Sequence, residues 1–405
     1  MRTAFIQHYN AANAYFPKPN LLISENMKIV ILMHDLSSNS LVRVYPIAKV
    51  IARKHTVEII GTCFNDQIFP AYQNEFEYVK IKGTRFPLYL KRAPEFITAI
   101  EADLIYAFKP MLTSFGVGLI AKYYKNIPLL LDIEDWDFQA WLTNFEESSS
   151  LFKYYSMITS LTWPNSAIYA RLLEPLIPLA NQRTVVSSFL QQRFGGIVLV
   201  HGADTEFFNP KNYNPKVLRE KYGISTNERI ILFAGTPRPH KGLDDLVTAI
   251  KSIDSRNVSL MLIGGHRGDP YIEQICEVGQ QKIKHLGYQP HALMPEFLSI
   301  ADMVVLPQRS SIIAQAQIPG KLFEAMAMAK PIVATNLSDL PQILDGCGII
   351  VPPEKPLRIS EALEYLLANE DYALELGRLA RQRCQTLYSW NMMEHILDEM
   401  LKNIH

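Results

Sequence analysis

From Met27 onward, short apolar runs of strand length alternate with segments whose apolar residues recur every three to four positions, and this alternation limits the fold class more than any other feature. KIVILM opens the series; VRVYPIAKVIARK has helical spacing, TVEIIG is again a strand, and DLIYAF, SFGVGLIAKYYK and LLLDI continue the order. Strands that are apolar throughout have no face to offer water, and a helix between each pair lets them run in the same direction. The expectation is therefore a parallel sheet covered on both sides. A second series begins after Pro210 and Pro215, with RIILFAG, GLDDLVTAIKSI, SLMLIGG, IKHLGY, DMVVLP, GKLFEAMAMA and PIVAT.

A chain of 405 residues exceeds the size at which one core keeps growing, so the two series predict two domains. We place a first α/β domain at 27–200, a second at 201–385 and a terminal amphipathic helix at 386–405. Residues 1–26 contain Arg, His, Asn, Lys, Pro and Glu where a signal peptide needs an unbroken apolar stretch, and they read as a poorly ordered extension. Lys+Arg and Asp+Glu are both 40, which excludes a nucleic-acid-binding polycation. The four cysteines form no C-x-x-C pair, which argues against a zinc site or a disulfide framework and for a reducing, cytoplasmic setting. No apolar run approaches the roughly 18 residues needed to span a bilayer. Two such domains face each other across a cleft formed by the carboxyl ends of their sheets, where open α/β sheets bind ligands.

Within that frame, FAGTPRPHKG carries Arg238, His240 and Lys241 between a strand and a helix that Gly242 opens. Cations beside a helix amino terminus make an anion site, although the same residues also fit a solvated basic turn. PGKLFEAMA puts Pro319, Gly320 and Lys321 at a helix start and Glu324 about one turn in; a carboxylate there can accept from both hydroxyls of a ribose or simply favour the helix dipole. LLLDIEDWDF brings Asp132, Glu134, Asp135 and Asp137 to a strand end at the cleft, as general-base candidates or as a solvated acidic loop.

VHGADTEFFNP, AGTPRPHKGLDDLVTAI, ADMVVLPQ and PGKLFEAMAMAKPIVAT, in this order and spacing, resemble the retaining GT-B glycosyltransferase family (glycosyl transferases group 1) of bacterial mannosyltransferases and sucrose synthases. The resemblance covers roughly residues 27–395 and implies a fold of two Rossmann-like domains, with the terminal helix returning to the first. It implies a glycosyltransferase, here a hexosyltransferase, with a nucleoside diphosphate sugar as co-substrate and no other cofactor. Lys241 and Arg238 then hold the diphosphate, and Glu324 the ribose. The amino end at Pro319, Gly320 and Lys321 lies beside the donor, with Gly264 permitting close approach and Gly287 and Tyr288 meeting the base. Glu134 and Asp135 stand where the family often has His-Asp, and they serve the acceptor. Two departures stand out: Thr236 occupies the place of a family Arg, and Ala316, flanked by Gln315 and Gln317, that of a Glu facing the sugar.

The acceptor implied is a hydroxyl of a glycan or lipid-linked molecule, as in polysaccharide biosynthesis. Basic and aromatic residues at 79–96 suit peripheral contact with the inner face of an anionic membrane, or an exposed strand edge. Cations rather than a metal neutralise the diphosphate in this reading. Arg43 is expected to form a local ion pair or meet an acceptor phosphate, with Lys109 a candidate of the same kind. The rivals are a degenerate transferase acting as a binding or scaffold subunit and a sugar-nucleotide 2-epimerase.

Overall fold

The computed structural model describes residues 26–143, 150–254, 257–266 and 268–404. The extension expected over 1–26 falls outside them apart from its last residue. The chain forms two α/β lobes, each built on a parallel sheet. The first sheet contains β1 (Lys28–Met33), β2 (Thr56–Cys63), β3 (Tyr78–Lys82), β4 (Leu104–Phe108), β5 (Leu129–Ile133), β6 (Gln182–Val185) and β7 (Ile197–Val198), in the spatial order β3-β2-β1-β4-β5-β6-β7. The second contains β8 (Arg229–Ala234), β9 (Val258–Ile263), β10 (Ile283–Gly287), β11 (Met303–Leu306), β12 (Ile332–Thr335) and β13 (Ile349–Val351), ordered β10-β9-β8-β11-β12-β13. Both sheets start from a central strand, run outward, and return to the other side of that strand. The reversal lies between β1 and β4, where Met33 is in register with Phe108, and between β8 and β11, where Leu232 meets Val304.

The central strands are buried along nearly their whole length, as continuous apolar runs require. Between β5 and β6 the chain forms the helices Ser150–Leu161 and Ala167–Leu173 and a short 3-10 stretch at Glu174–Leu179, separated or shortened by Pro164, Pro175 and Pro178.

The terminal helix Trp390–Lys402 crosses back to the first lobe. Met393, Leu397, Met400 and Leu401 join the apolar cluster of Ile29, Ile31 and Met33, while Arg53 reaches Glu394 at 2.7 Å and Lys54 reaches Asp398 at 2.6 Å. Among the described residues no helix is long and apolar enough to cross a membrane. In the 79–96 segment Leu88 and Leu90 are exposed, but Tyr89 is buried and the Arg85 guanidinium stacks over Trp163 at 4.3 Å, so part of the expected basic-aromatic surface is engaged internally.

Candidate functional site

The carboxyl ends of the two sheets face each other: the residues after β4 and β5 form one wall and those after β8 and β11 the other, and Gln317 reaches from Lys241 to Asp135 between them. Open α/β sheets bind ligands at such points because helix amino termini and backbone groups converge there. After β8 the chain turns through Gly235 and the 3-10 turn Pro239–Lys241 into the helix Leu243–Ser252. Gly242 has φ 71°, and a Cβ there would lie 1.8 Å from the Pro307 carbonyl oxygen, so only glycine lets the loop approach β11 this closely. Arg309 clamps the same loop: it binds Asp245 at 2.7 and 2.9 Å, and its backbone N–H donates to His240 O at 3.0 Å. The loop that carries Lys241 is thus held on both flanks.

The helix Gly320–Ala327 delivers the second set of groups. Lys321 Nζ lies 3.7 Å from the centroid of Phe233. Among the described residues neither Lys241 nor Lys321 has a carboxylate within ion-pair distance. Burial lowers both ammonium pKa values; the charge of Lys241 lowers that of Lys321 further, while Asp135 partly restores that of Lys241. Two unpaired, partly desolvated cations beside a helix amino end are stabilised by a polyanion. Arg238 belongs to the same loop but is exposed. Glu324 Oε1 is 2.9 Å from His291 Nε2, and the His291 ring stacks near Phe207 at 6.1 Å. Burial works against the charged form of His291, but the bond to Glu324 outweighs it and raises the pKa. Gly264 N–H donates to Gly287 O at 2.8 Å; Gly264 has φ 116°, and Tyr288 is exposed beyond them.

On the opposite wall Lys109, at φ 65°, ends β4 with its side chain turned into an acidic cluster. Its Nζ lies 2.6 Å from Asp135, 2.9 Å from Asp137 and 3.4 Å from Glu134. Burial would raise all three carboxyls. Lys109 outweighs it at Asp135, which sits below its usual value, but not at Glu134, pushed up to about 8, or at Asp137, also raised. Near neutral pH the cluster therefore pairs a charged Asp135 with a protonated Glu134, the split expected where one group accepts a proton and another keeps one. Asp132, expected at the cleft with the others, is instead fully buried: its partners are Arg43 at 2.8 and 3.1 Å and Thr184 at 2.6 Å. Arg43 accordingly forms a long-range pair beneath the cleft floor rather than a local one.

Gln317 joins the walls. Its Oε1 accepts from Lys241 Nζ at 3.1 Å and its Nε2 donates to Asp135 Oδ1 at 2.5 Å. Nearby, Ser187 Oγ donates to Ala316 O at 2.7 Å and Ser188 N–H to Asp339 at 2.8 Å.

The structure brings Lys241, Lys321, Glu134 and Asp135 together, with Pro319 and Gly320 at the adjacent helix start. Glu324, Gly264, Gly287 and Tyr288 lie along the second lobe, and Arg238 sits on the exposed side of its loop. Sequence reasoning missed the roles of Gln317 and His291. The pairing of Gln317 with a residue 182 positions away left no local signal. His291 sits in an ordinary polar turn before a helix.

Residues 215–383 match the family model Glycosyl transferases group 1. A GDP-mannose-dependent alpha-(1-6)-phosphatidylinositol monomannoside mannosyltransferase of Mycobacterium tuberculosis is 26% identical over 244 residues, 54% of this chain and 61% of that protein. A D-inositol 3-phosphate glycosyltransferase of Corynebacterium glutamicum is 26% identical over 206 residues, 48% of each chain. The chain thus spans about half to three-fifths of the length of these relatives. In fold it is similar to a glycosyltransferase from Rickettsia africae, with TM-score 0.71, 19% identity, and coverage of 94% of this chain and 98% of that one. It is likewise similar to Anabaena Alr3699/HepE, solved in complex with UDP and glucose, with TM-score 0.72, 18% identity, and coverage of 93% and 99%. The architecture is that of the GT-B glycosyltransferases.

Proposed function

We propose, from the group 1 glycosyl transferase segment and the cleft around it, that this protein is a retaining glycosyltransferase that moves a hexose from a nucleoside diphosphate sugar to a hydroxyl of a glycan or lipid-linked acceptor. The observation that carries this reading is the convergence of Lys241 and Lys321, without acidic partners among the described residues, opposite the charged Asp135. A diphosphate placed between the lysines gains charge-assisted hydrogen bonds of about 1.5–3 kcal/mol each, and these grow as negative charge develops on the departing oxygen. Glu324, anchored by His291, takes the ribose hydroxyls, and the turn at Gly264, Gly287 and Tyr288 takes the base.

In the transfer step the bond from the anomeric carbon to the diphosphate oxygen breaks, and the electron pair leaves with the diphosphate. The acceptor oxygen adds to the same face of the oxocarbenium-like sugar, oriented by Asp135. Its proton passes to the departing phosphate or to Asp135, so no protein nucleophile is needed. The reaction runs without a metal in this reading, because the ammonium of Lys109 already lies within 3.4 Å of the carboxyl groups of Glu134, Asp135 and Asp137.

A thermal-shift screen of nucleotide sugars tests the proposal. A true donor at one hundred times its dissociation constant adds about 2.7 kcal/mol of stability. Lys241→Ala should remove that shift and abolish transfer while leaving the unliganded melting temperature in place. An unaffected variant rejects the role of Lys241. A wild-type protein that neither binds nor cleaves any nucleotide sugar rejects the function.

A further inference from the structure

Gln317 stands where the two halves of the proposed reaction meet. The helix Ile312–Ala316 ends immediately before it, and the Ala316 carbonyl is fastened to the other lobe by Ser187 Oγ at 2.7 Å. The side chain therefore starts from a pinned backbone and crosses the cleft between Lys241 and Asp135. Only one orientation of its amide works, because an ammonium can only donate and a carboxylate only accept: oxygen faces Lys241 and nitrogen faces Asp135. With one bond made at each end, the amide retains one N–H and one lone pair. Both lie between the cation assigned to the diphosphate and the carboxylate assigned to the acceptor, where the transferred sugar must pass.

We infer that Gln317 is a positioning residue of the transfer step: it fastens the acceptor-side carboxylate of Asp135 to the donor-side ammonium of Lys241 and offers its remaining donor and acceptor to the hydroxyls of an uncharged hexose. This rests on the transferase reading. The neutral amide matters, since a carboxylate at the same point would face Asp135 with like charge. Asp135 is surrounded by Lys109, Glu134 and Asp137 on its own wall, by His34 beyond β1, by His201, and by Lys241 and His240 from the opposite loop. The hydrogen bond from Gln317 is one of the interactions that hold Asp135 ionised against its burial. Removing it lets burial raise the Asp135 pKa.

The test is the pH dependence of kcat and kcat/KM for the wild type, Gln317→Ala and Gln317→Glu, using whichever nucleotide sugar the wild type turns over, with calorimetric binding of the free nucleoside diphosphate beside it. Gln317→Ala should bind the free diphosphate within about threefold of wild type yet lose on the order of 10- to 100-fold in kcat/KM, the cost of one charge-assisted bond. Its acid limb should move to higher pH. Gln317→Glu preserves the length and volume of the side chain and should move that limb further still. An acid limb that stays in place and a kcat/KM that stays near wild type in Gln317→Ala would mean that the amide does not act on Asp135, and that result overturns the inference. A gain in activity in Gln317→Ala would also overturn it, because it would make Gln317 an obstruction. With an active wild type and unaltered variants only the role of Gln317 falls, whereas a wild type that cleaves no nucleotide sugar removes the transferase reading as well.

Discussion

The guanidinium of Arg43 meets the carboxylate of Asp132 through Nε at 3.1 Å and Nη2 at 2.8 Å, and both side chains are sealed from solvent. Nη2 also donates to Leu199 O at 2.6 Å, and Thr184 donates to the same carboxylate at 2.6 Å. One buried cation thereby ties the helix Leu41–Ile51, the end of β5 and the segment leaving β7, which together form the floor under the acidic wall.

Breaking one side of that pair strands the other charge in an apolar interior. Asp132→Asn should cost about 3–5 kcal/mol of unfolding free energy, read from urea denaturation, whereas the double change Arg43→Met with Asp132→Leu should recover much of the loss. Equal stability of the single variant and the wild type would mean that the pair contributes little.

Lys109 is the largest offset to the burial of its three carboxyl neighbours, so replacing it steepens the dependence of stability on pH. Glu134 and Asp137 are already raised in the wild type; in Lys109→Met they rise further, and Asp135 loses the main interaction that holds it low. A raised carboxyl contributes its stability at low pH and loses it as pH rises, so the variant should melt at a higher temperature at pH 5 than at pH 8. A melting temperature that does not fall between those two pH values would contradict this account of the cluster.

His34 is buried, and among the described residues its Nδ1 has no hydrogen-bond partner; burial first, and then Lys109, push its pKa down to about 3. A folded-state value below the unfolded value near 6.5 means that the unfolded chain takes up the proton first. Its contribution is complete above about pH 6.5 and is lost as pH falls toward 3, at about 1.4 kcal/mol per unit. Between pH 7 and pH 5 the wild type should therefore lose about 2 kcal/mol more stability than His34→Gln in paired denaturant titrations. Parallel curves for the two proteins would show that His34 does not titrate in this way.

Binding of a nucleoside diphosphate should be linked to protons. Burial holds the Lys241 and Lys321 ammonium groups below their usual range, and an anion between them raises both, so binding takes up protons and affinity declines as pH rises. Calorimetry in two buffers of different ionisation enthalpy measures that uptake directly. Proton release, or none at all, would place the anion away from these lysines.

Lys241, Lys321 and Glu324 could be found in the sequence because each sits at a junction that local pattern announces: an apolar strand ends, glycine or proline turns the chain, and a helix begins. The same periodicity marked LLLDIEDWDF as an acidic strand end, yet it could not separate Asp132 from Asp135. The first answers to Arg43, 89 positions away, and sinks beneath the sheet; the second answers to Lys109 and, across the cleft, to Gln317, 182 positions away. His291, paired with Glu324, was equally silent in the linear text.

The sequence by itself determined the two parallel sheets and the loops at which ligand-binding groups could gather, because backbone periodicity and turn chemistry act over a few neighbouring residues. The tertiary structure alone decided which charges are paired, which stay unpaired and which one Gln317 touches. Those outcomes depend on burial and on distances between segments remote in the chain, and both come into existence only when the lobes close on each other.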